Sequence, residues 1–301
     1  MQVTPEILYG TVAGLIGAML YAFSIVVYRS QKGEIKPLAI SSTKMWVALP
    51  FMTLLVLFPF VPSPFLLPFE TIVLLALSII TGAVIGDTLY LVSQERIGVS
   101  YAFPIAMSFP ILTYALTITF LGEALIASRL VGVIIAVTGV IIISSEQDKG
   151  TDESGQIKKL DALGISLAIL TSILYAIGTT ILQVGVTDVD PITGNFVRVL
   201  TGSIAFAPMF MVARYKGMPL PTRRATKFVV VAAFFGMAIG SLLYVMGVKY
   251  AGATIMSVLG STAPLFAIPV SIFFLKEKIT RFAGIGVLLT IVGVVLVVVG
   301  F

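Results

Sequence analysis

The stretch Gly82–Glu123 returns without a gap at Gly236–Glu277. Gly82 and Gly236, Gly86 and Gly240, Tyr90 and Tyr244, Gly98 and Gly252, Pro110 and Pro264, and Glu123 and Glu277 all keep one separation of 154 residues (236 less 82). The register extends upstream, where Tyr21 matches Tyr175, Pro37 matches Pro191 and Lys44 falls on Arg198. Such agreement identifies a tandem duplication, and each copy must fold in the same way.

Both copies are too apolar for water. Only 11% of the 301 residues are charged and mean hydropathy is +1.10, whereas soluble domains carry about 25% charged residues. A helix needs about 20 apolar residues to cross the hydrocarbon. Ten runs qualify: 8–28, 38–59, 71–94, 98–121, 126–144, 161–183, 191–213, 228–247, 250–275 and 281–300. Backbone polar groups find no water in lipid, so each run must be helical. The expected fold is an all-α polytopic membrane protein with a first repeat over 8–144, a polar linker over 145–160 and a second repeat over 161–300. Five helices per copy is an odd number. The second copy therefore enters from the opposite side, giving ten transmembrane helices as two inverted-topology repeats. Secondary transporters with this architecture place the substrate near the midplane, between the repeats.

Fifteen of the 19 Lys and Arg residues fall in loops on one side. The excess predicts a cytoplasmic location for those loops, with both termini outside a multi-pass cell membrane. It also accounts for the net charge of +5 without a nucleic-acid partner. Cysteine and histidine are both absent, which removes thiolate chemistry, ordinary zinc sites and histidine proton relays. No metal or cofactor is expected. Serine-type intramembrane hydrolysis needs a histidine, and an aspartyl dyad needs a second deep carboxylate, so a polytopic enzyme is a poor alternative. No GxxxxGK[ST] loop occurs, so ATP drive within this chain is not expected.

A basic residue in the second helix of each copy (Lys44, Arg198), the FLGE and FLKE endings at Phe120–Glu123 and Phe274–Glu277, and the Gly-rich helices that follow (Gly132 and Gly139; Gly286 and Gly293) complete a pattern. With the two five-helix repeats, it resembles the EamA family of the drug/metabolite transporter superfamily over nearly the whole chain. The resemblance implies a central cavity between helices 1–4 and 6–9, with helices 5 and 10 at the periphery, where a homodimer could form. It implies transport of a small organic metabolite such as an amino acid or a related anionic or zwitterionic compound, with a lipophilic-cation exporter as the alternative. Many relatives would place the termini in the cytoplasm, opposite to the charge count.

Asp87 is the only acidic residue well inside a predicted span. A charge there costs several kcal/mol and should have a partner. At 1.5 Å per residue, Asp87 and Lys44 differ in depth by about 3 Å, so they can pair. Arg198 has Ser241 where symmetry would put the carboxylate. Its guanidinium could grip an anion, or pair with helix-end carbonyls or with Asp188 and Asp190. Pro110 and Pro264 remove backbone bonds in the middle of helices 4 and 9, beside Ser257 and Ser261. Tyr21, Tyr90, Tyr175 and Tyr244 form two repeated pairs whose hydroxyls need partners when buried. Asn195 is a further cavity candidate. The glycine pairs Gly82/Gly86 and Gly236/Gly240 read as close-packing motifs.

Overall fold

The computed structural model describes residues 4–31, 33–147, 161–266 and 281–300. Ten helical passes run through these residues: α1 (Pro5–Ser30), α2 (Pro37–Val56), α3 (Phe69–Ile97), α4 (Val99–Ala106 and Phe109–Leu121), α5 (Ala127–Gln147), α6 (Ala162–Val186), α7 (Pro191–Tyr215), α8 (Arg223–Ala251), α9 (beginning Ala253–Ser261) and α10 (Arg281–Val299). The polar segment 145–160 falls almost wholly outside the described residues, as does the second half of helix 9. The two membrane faces can be named by what they carry: a linker face, with the joint between α5 and α6, and a terminal face, with the joints α2–α3, α4–α5, α6–α7 and α8–α9.

Two backbone features repeat with the sequence. The joint between α3 and α4 is one residue, Gly98 (φ 82°), and that between α8 and α9 is Gly252 (φ 89°). Left-handed backbone of this kind suits glycine and strains other residues. Each joint reverses the chain without a loop. Helices α3 and α8 also carry π-helical segments at Ile80–Gly86 and Phe234–Ile239. A wider turn in mid-helix re-aims the side chains that follow, and such turns concentrate at functional sites.

The repeats interlock. Helix α1 packs against α8 and α9 of the other repeat, while α6 packs mainly against α3 and α4. Pairs α2–α7, α4–α9 and α5–α10 join equivalent helices across the pseudo-symmetry axis. Small residues allow the close crossings. Ser24 of α1 donates to Ala232 O of α8 at 2.7 Å beside Gly236. Its counterpart Gly178 of α6 lies against Ser78 O and Gly82 N of α3. The packing bodies are therefore α3–α4–α6 and α1–α8–α9, each containing helices from both repeats. Helices α5 and α10 sit outside, joined where Gly132 and Gly139 face Gly286 and Gly293. On their other faces Leu130, Ile134, Leu288 and Ile291 are exposed.

The symmetry breaks most clearly around the first helix of each repeat. Helix α6 packs against α8 and α9, yet α1 has no comparable contact with α3 or α4 among the described residues. The gap left on that side is the candidate site.

Candidate functional site

A cavity of about 190 Å³ lies between the two bodies, bordered by α1, α2, α3, α4, α6, α7, α8 and α9. One water needs roughly 10–15 Å³ on this scale, so the space suits a small organic molecule. On α1 its lining runs Gly14, Gly17, Tyr21, Ser24, Tyr28, a stripe at helical spacing that reaches from mid-membrane to the linker end. Towards the terminal face the walls meet. Thr117 of α4 and Thr254 of α9 are 3.0 Å apart, and Thr254 also donates to Glu123 at 2.5 Å. Gln183 of α6 accepts from Ala253 N at 2.6 Å, and Lys249 donates to Val189 O at 2.7 Å.

The acidic centre is built on α3. Asp87 follows directly on the π segment. Lys44 Nζ donates to Asp87 Oδ2 at 2.8 Å, and Tyr175 Oη donates to Oδ1 at 2.7 Å. The tyrosine ring can reach across from α6 because a Cβ on Gly86 would lie 2.9 Å from it. Both charged side chains are largely shielded, at 10% and 15% exposure. Burial strengthens the pair and makes loss of either partner costly.

The basic centre is built on α7 and has no carboxylate partner among the described residues. Arg198 Nε donates to Ser78 Oγ at 3.0 Å, and Nη1 reaches Asn195 Oδ1 at 3.4 Å. Ser241 Oγ donates to the same Asn195 oxygen at 2.7 Å. Asp190, a sequence-level alternative partner, accepts instead from Ile192 N and Thr193 N, capping α7. Tyr244 Oη and Thr179 Oγ1 share a hydrogen bond of 2.8 Å that ties α8 to α6.

Of the residues singled out from sequence, Tyr21, Lys44, Asp87, Tyr175, Arg198, Ser241 and Tyr244 line the cavity. Asn195 is wholly buried behind Arg198. Tyr90, the counterpart of Tyr244, lies instead in a cluster with Phe103 of α4. Pro110 is buried at the start of the second half of α4, after a break at Met107–Ser108. Ser257 and Ser261 are fully buried and donate to carbonyls of their own helix, Thr254 O and Val258 O. Pro264 is buried as well. None of these last residues borders the cavity. Ser78, Thr179, Tyr28, Met107 and Phe109 do, although sequence reasoning passed over them as sites. The period of small and polar residues along α1 was the available signal for Tyr28. Gly82 also lines the cavity; its backbone N lies at the crossing with Gly178, but its own Cβ direction opens into the cavity, with nothing within 4 Å.

Two inverted five-helix repeats around a largely apolar cavity that carries a buried ion pair and an arginine are the architecture of a membrane transporter. The EamA-like transporter family matches the chain twice, over residues 8–145 and 162–299. The chain belongs to that family, within the drug/metabolite transporter superfamily. It is similar to an uncharacterized transporter of Archaeoglobus fulgidus, 25% identical over 94% of this chain and 95% of that one. An uncharacterized protein of Methanocaldococcus jannaschii is 28% identical over 44% of this chain and 93% of its own length. The uncharacterized transporter YetK of Bacillus subtilis is 33% identical over 32% of this chain and 29% of its own. A solved crystal structure superposes with a TM-score of 0.79 at 15% identity, covering 96% of each chain. That likeness concerns the fold alone.

Proposed function

We propose that this protein is a secondary transporter of a small anionic or zwitterionic metabolite, such as an amino acid or a related compound, working as an exporter or exchanger. The observation that carries the proposal is the broken symmetry around the cavity. Helix α6 closes on α8 and α9, whereas α1 stands apart from α3 and α4. Exchanging the roles of the two repeats gives a second arrangement of the same helices, closed at the linker face and open at the terminal face. Alternation between such states moves solute, and repeat architectures provide both states from one set of contacts.

The moving bodies in this reading are α3–α4–α6 against α1–α8–α9, with the buried Lys44–Asp87 pair and Arg198 facing the passage. The proposal also includes a cytoplasmic membrane location with both termini outside, and peripheral helices α5 and α10 as the side where a second copy would add. Counterflow in proteoliposomes tests the transport reading. Internal unlabelled metabolite should accelerate uptake of the labelled compound, and a panel of carboxylates and amino acids with no counterflow for any member would overturn it.

A further inference from the structure

The charges facing the cavity do not balance. Among the deep ionisable groups, Lys44 and Asp87 cancel and Arg198 is left over. The part of the ninth predicted span outside the described residues adds no charge, since residues 267–275 read AIPVSIFFL. A lone buried cation is costly in hydrocarbon, and neutral partners relieve the cost only in part. An incoming monoanion brings the count to zero.

Asp87 has one short hydrogen bond on each oxygen already, from Lys44 and from Tyr175. The described lining holds no other carboxylate. An ammonium group entering this cavity would meet no acid whose charge is not already matched by Lys44. The rest of the wall combines aromatic rings and bare backbone with the aliphatic Ile79, Met107, Leu182 and Met237 and the hydroxyls of Ser24, Ser78, Thr179 and Ser241. The rings of Tyr21, Tyr175, Tyr244 and Phe109 border the space, and Gly17, Gly178 and Gly240 bring helix backbones up to it. Flat rings and side-chain-free surfaces leave slots that fit a planar body better than a bulky one.

Resting on the transport reading, we infer that the cavity selects an organic monoanion with a flat unsaturated body, its carboxylate held by Arg198 and its ring among the tyrosines, in preference to a zwitterionic amino acid. Arginine presents paired donors matched to a carboxylate. A phosphate dianion would overshoot the single positive charge.

The test uses the full-length purified protein and five probes in a thermal-shift titration: benzoate, benzamide, cyclohexanecarboxylate, phenylalanine and benzylammonium. Benzoate should half-saturate at about tenfold to a hundredfold lower concentration than benzamide, the range of a charge-assisted hydrogen-bonded pair. Phenylalanine and benzylammonium should trail it similarly, and cyclohexanecarboxylate should be intermediate. Arg198→Lys should weaken benzoate while keeping its lead over benzamide, and Arg198→Gln should erase that lead. If phenylalanine or benzylammonium matches benzoate, or if no probe shifts the protein, the inference is overturned. If cyclohexanecarboxylate matches benzoate, the flat-body claim is overturned. Flux separates this inference from the transport reading. Benzoate binding without movement across liposomes contradicts transport alone, while transport of cations or zwitterions in preference contradicts the anion assignment alone.

Discussion

Lys44 Nζ stands 2.8 Å from Asp87 Oδ2, in a part of the bilayer where neither charge could remain alone. Breaking a buried pair by removing one partner costs about 3–5 kcal/mol, whereas removing both costs far less. Asp87→Asn is therefore expected to destabilise the fold strongly, and Lys44→Met with Asp87→Leu to recover much of that loss. Unfolding curves in mixed detergent, analysed as a double-mutant cycle, read the coupling. Additive effects of the two single changes would mean that the contact is energetically idle. If Asp87 also carries protons, Asp87→Asn should abolish uptake driven by a pH gradient.

Gly86 and Tyr175 form a second dependent pair. A side chain at 86 would meet the tyrosine ring, so Gly86→Val should displace the ring and free Asp87 Oδ1. Its transport phenotype should match that of Tyr175→Phe. Normal flux in Gly86→Val beside impaired flux in Tyr175→Phe would refute the link.

Two glycines should behave in opposite ways. An added Cβ at Gly139 would lie 2.6 Å from Gly286 O, on rigid backbone. Gly139→Val should cost roughly 1–3 kcal/mol or more by overpacking the α5–α10 seam. Gly82 has open space around its Cβ position, so Gly82→Ala should leave the fold as stable or gain up to about 1 kcal/mol in helix propensity. It should still slow transport by narrowing the cavity. Melting curves and flux on the same preparations decide both.

At the linker face, Asp161 caps α6 by accepting from Leu163 N at 3.1 Å and takes a 2.6 Å bond from Arg96. The Arg96 guanidinium, and then the Leu163 N–H, hold its carboxyl below the usual carboxylate range. A carboxyl whose pKa is lowered by folding stabilises the fold above its unfolded pKa, and that contribution is lost as pH falls through the folded value. Wild type should thus be more heat-stable than Asp161→Asn at neutral pH. The two should converge only below the ordinary carboxylate range.

The duplication, the ten passes and the depth match of Lys44 with Asp87 were legible in the sequence, because apolar length and a fixed register are linear properties. The partners of Arg198 were not. Ser78 reaches it only because α7 packs beside α3 of the other repeat, and no spacing along the chain encodes that crossing. Tyr90 and Tyr244 are equivalent in register yet differ in place, one packed on Phe103 and one bonded to Thr179 in the cavity wall. A repeat in sequence is symmetric, whereas a single conformation of an alternating structure cannot be. The π segments escaped notice for another reason, since slipping a backbone hydrogen bond by one residue needs no particular side chain.

The swap of contacts between repeats can be measured directly, because the chain contains no native cysteine. Thr179→Cys with Tyr244→Cys joins α6 to α8, which touch here, and Ile25→Cys with Tyr90→Cys marks the equivalent positions on α1 and α3. If the crevice alternates, both pairs form disulfides in membranes, and either crosslink arrests flux until it is reduced. Failure of the 25–90 pair to crosslink under any substrate condition while transport continues, or full transport with the 179–244 pair locked, would contradict alternation.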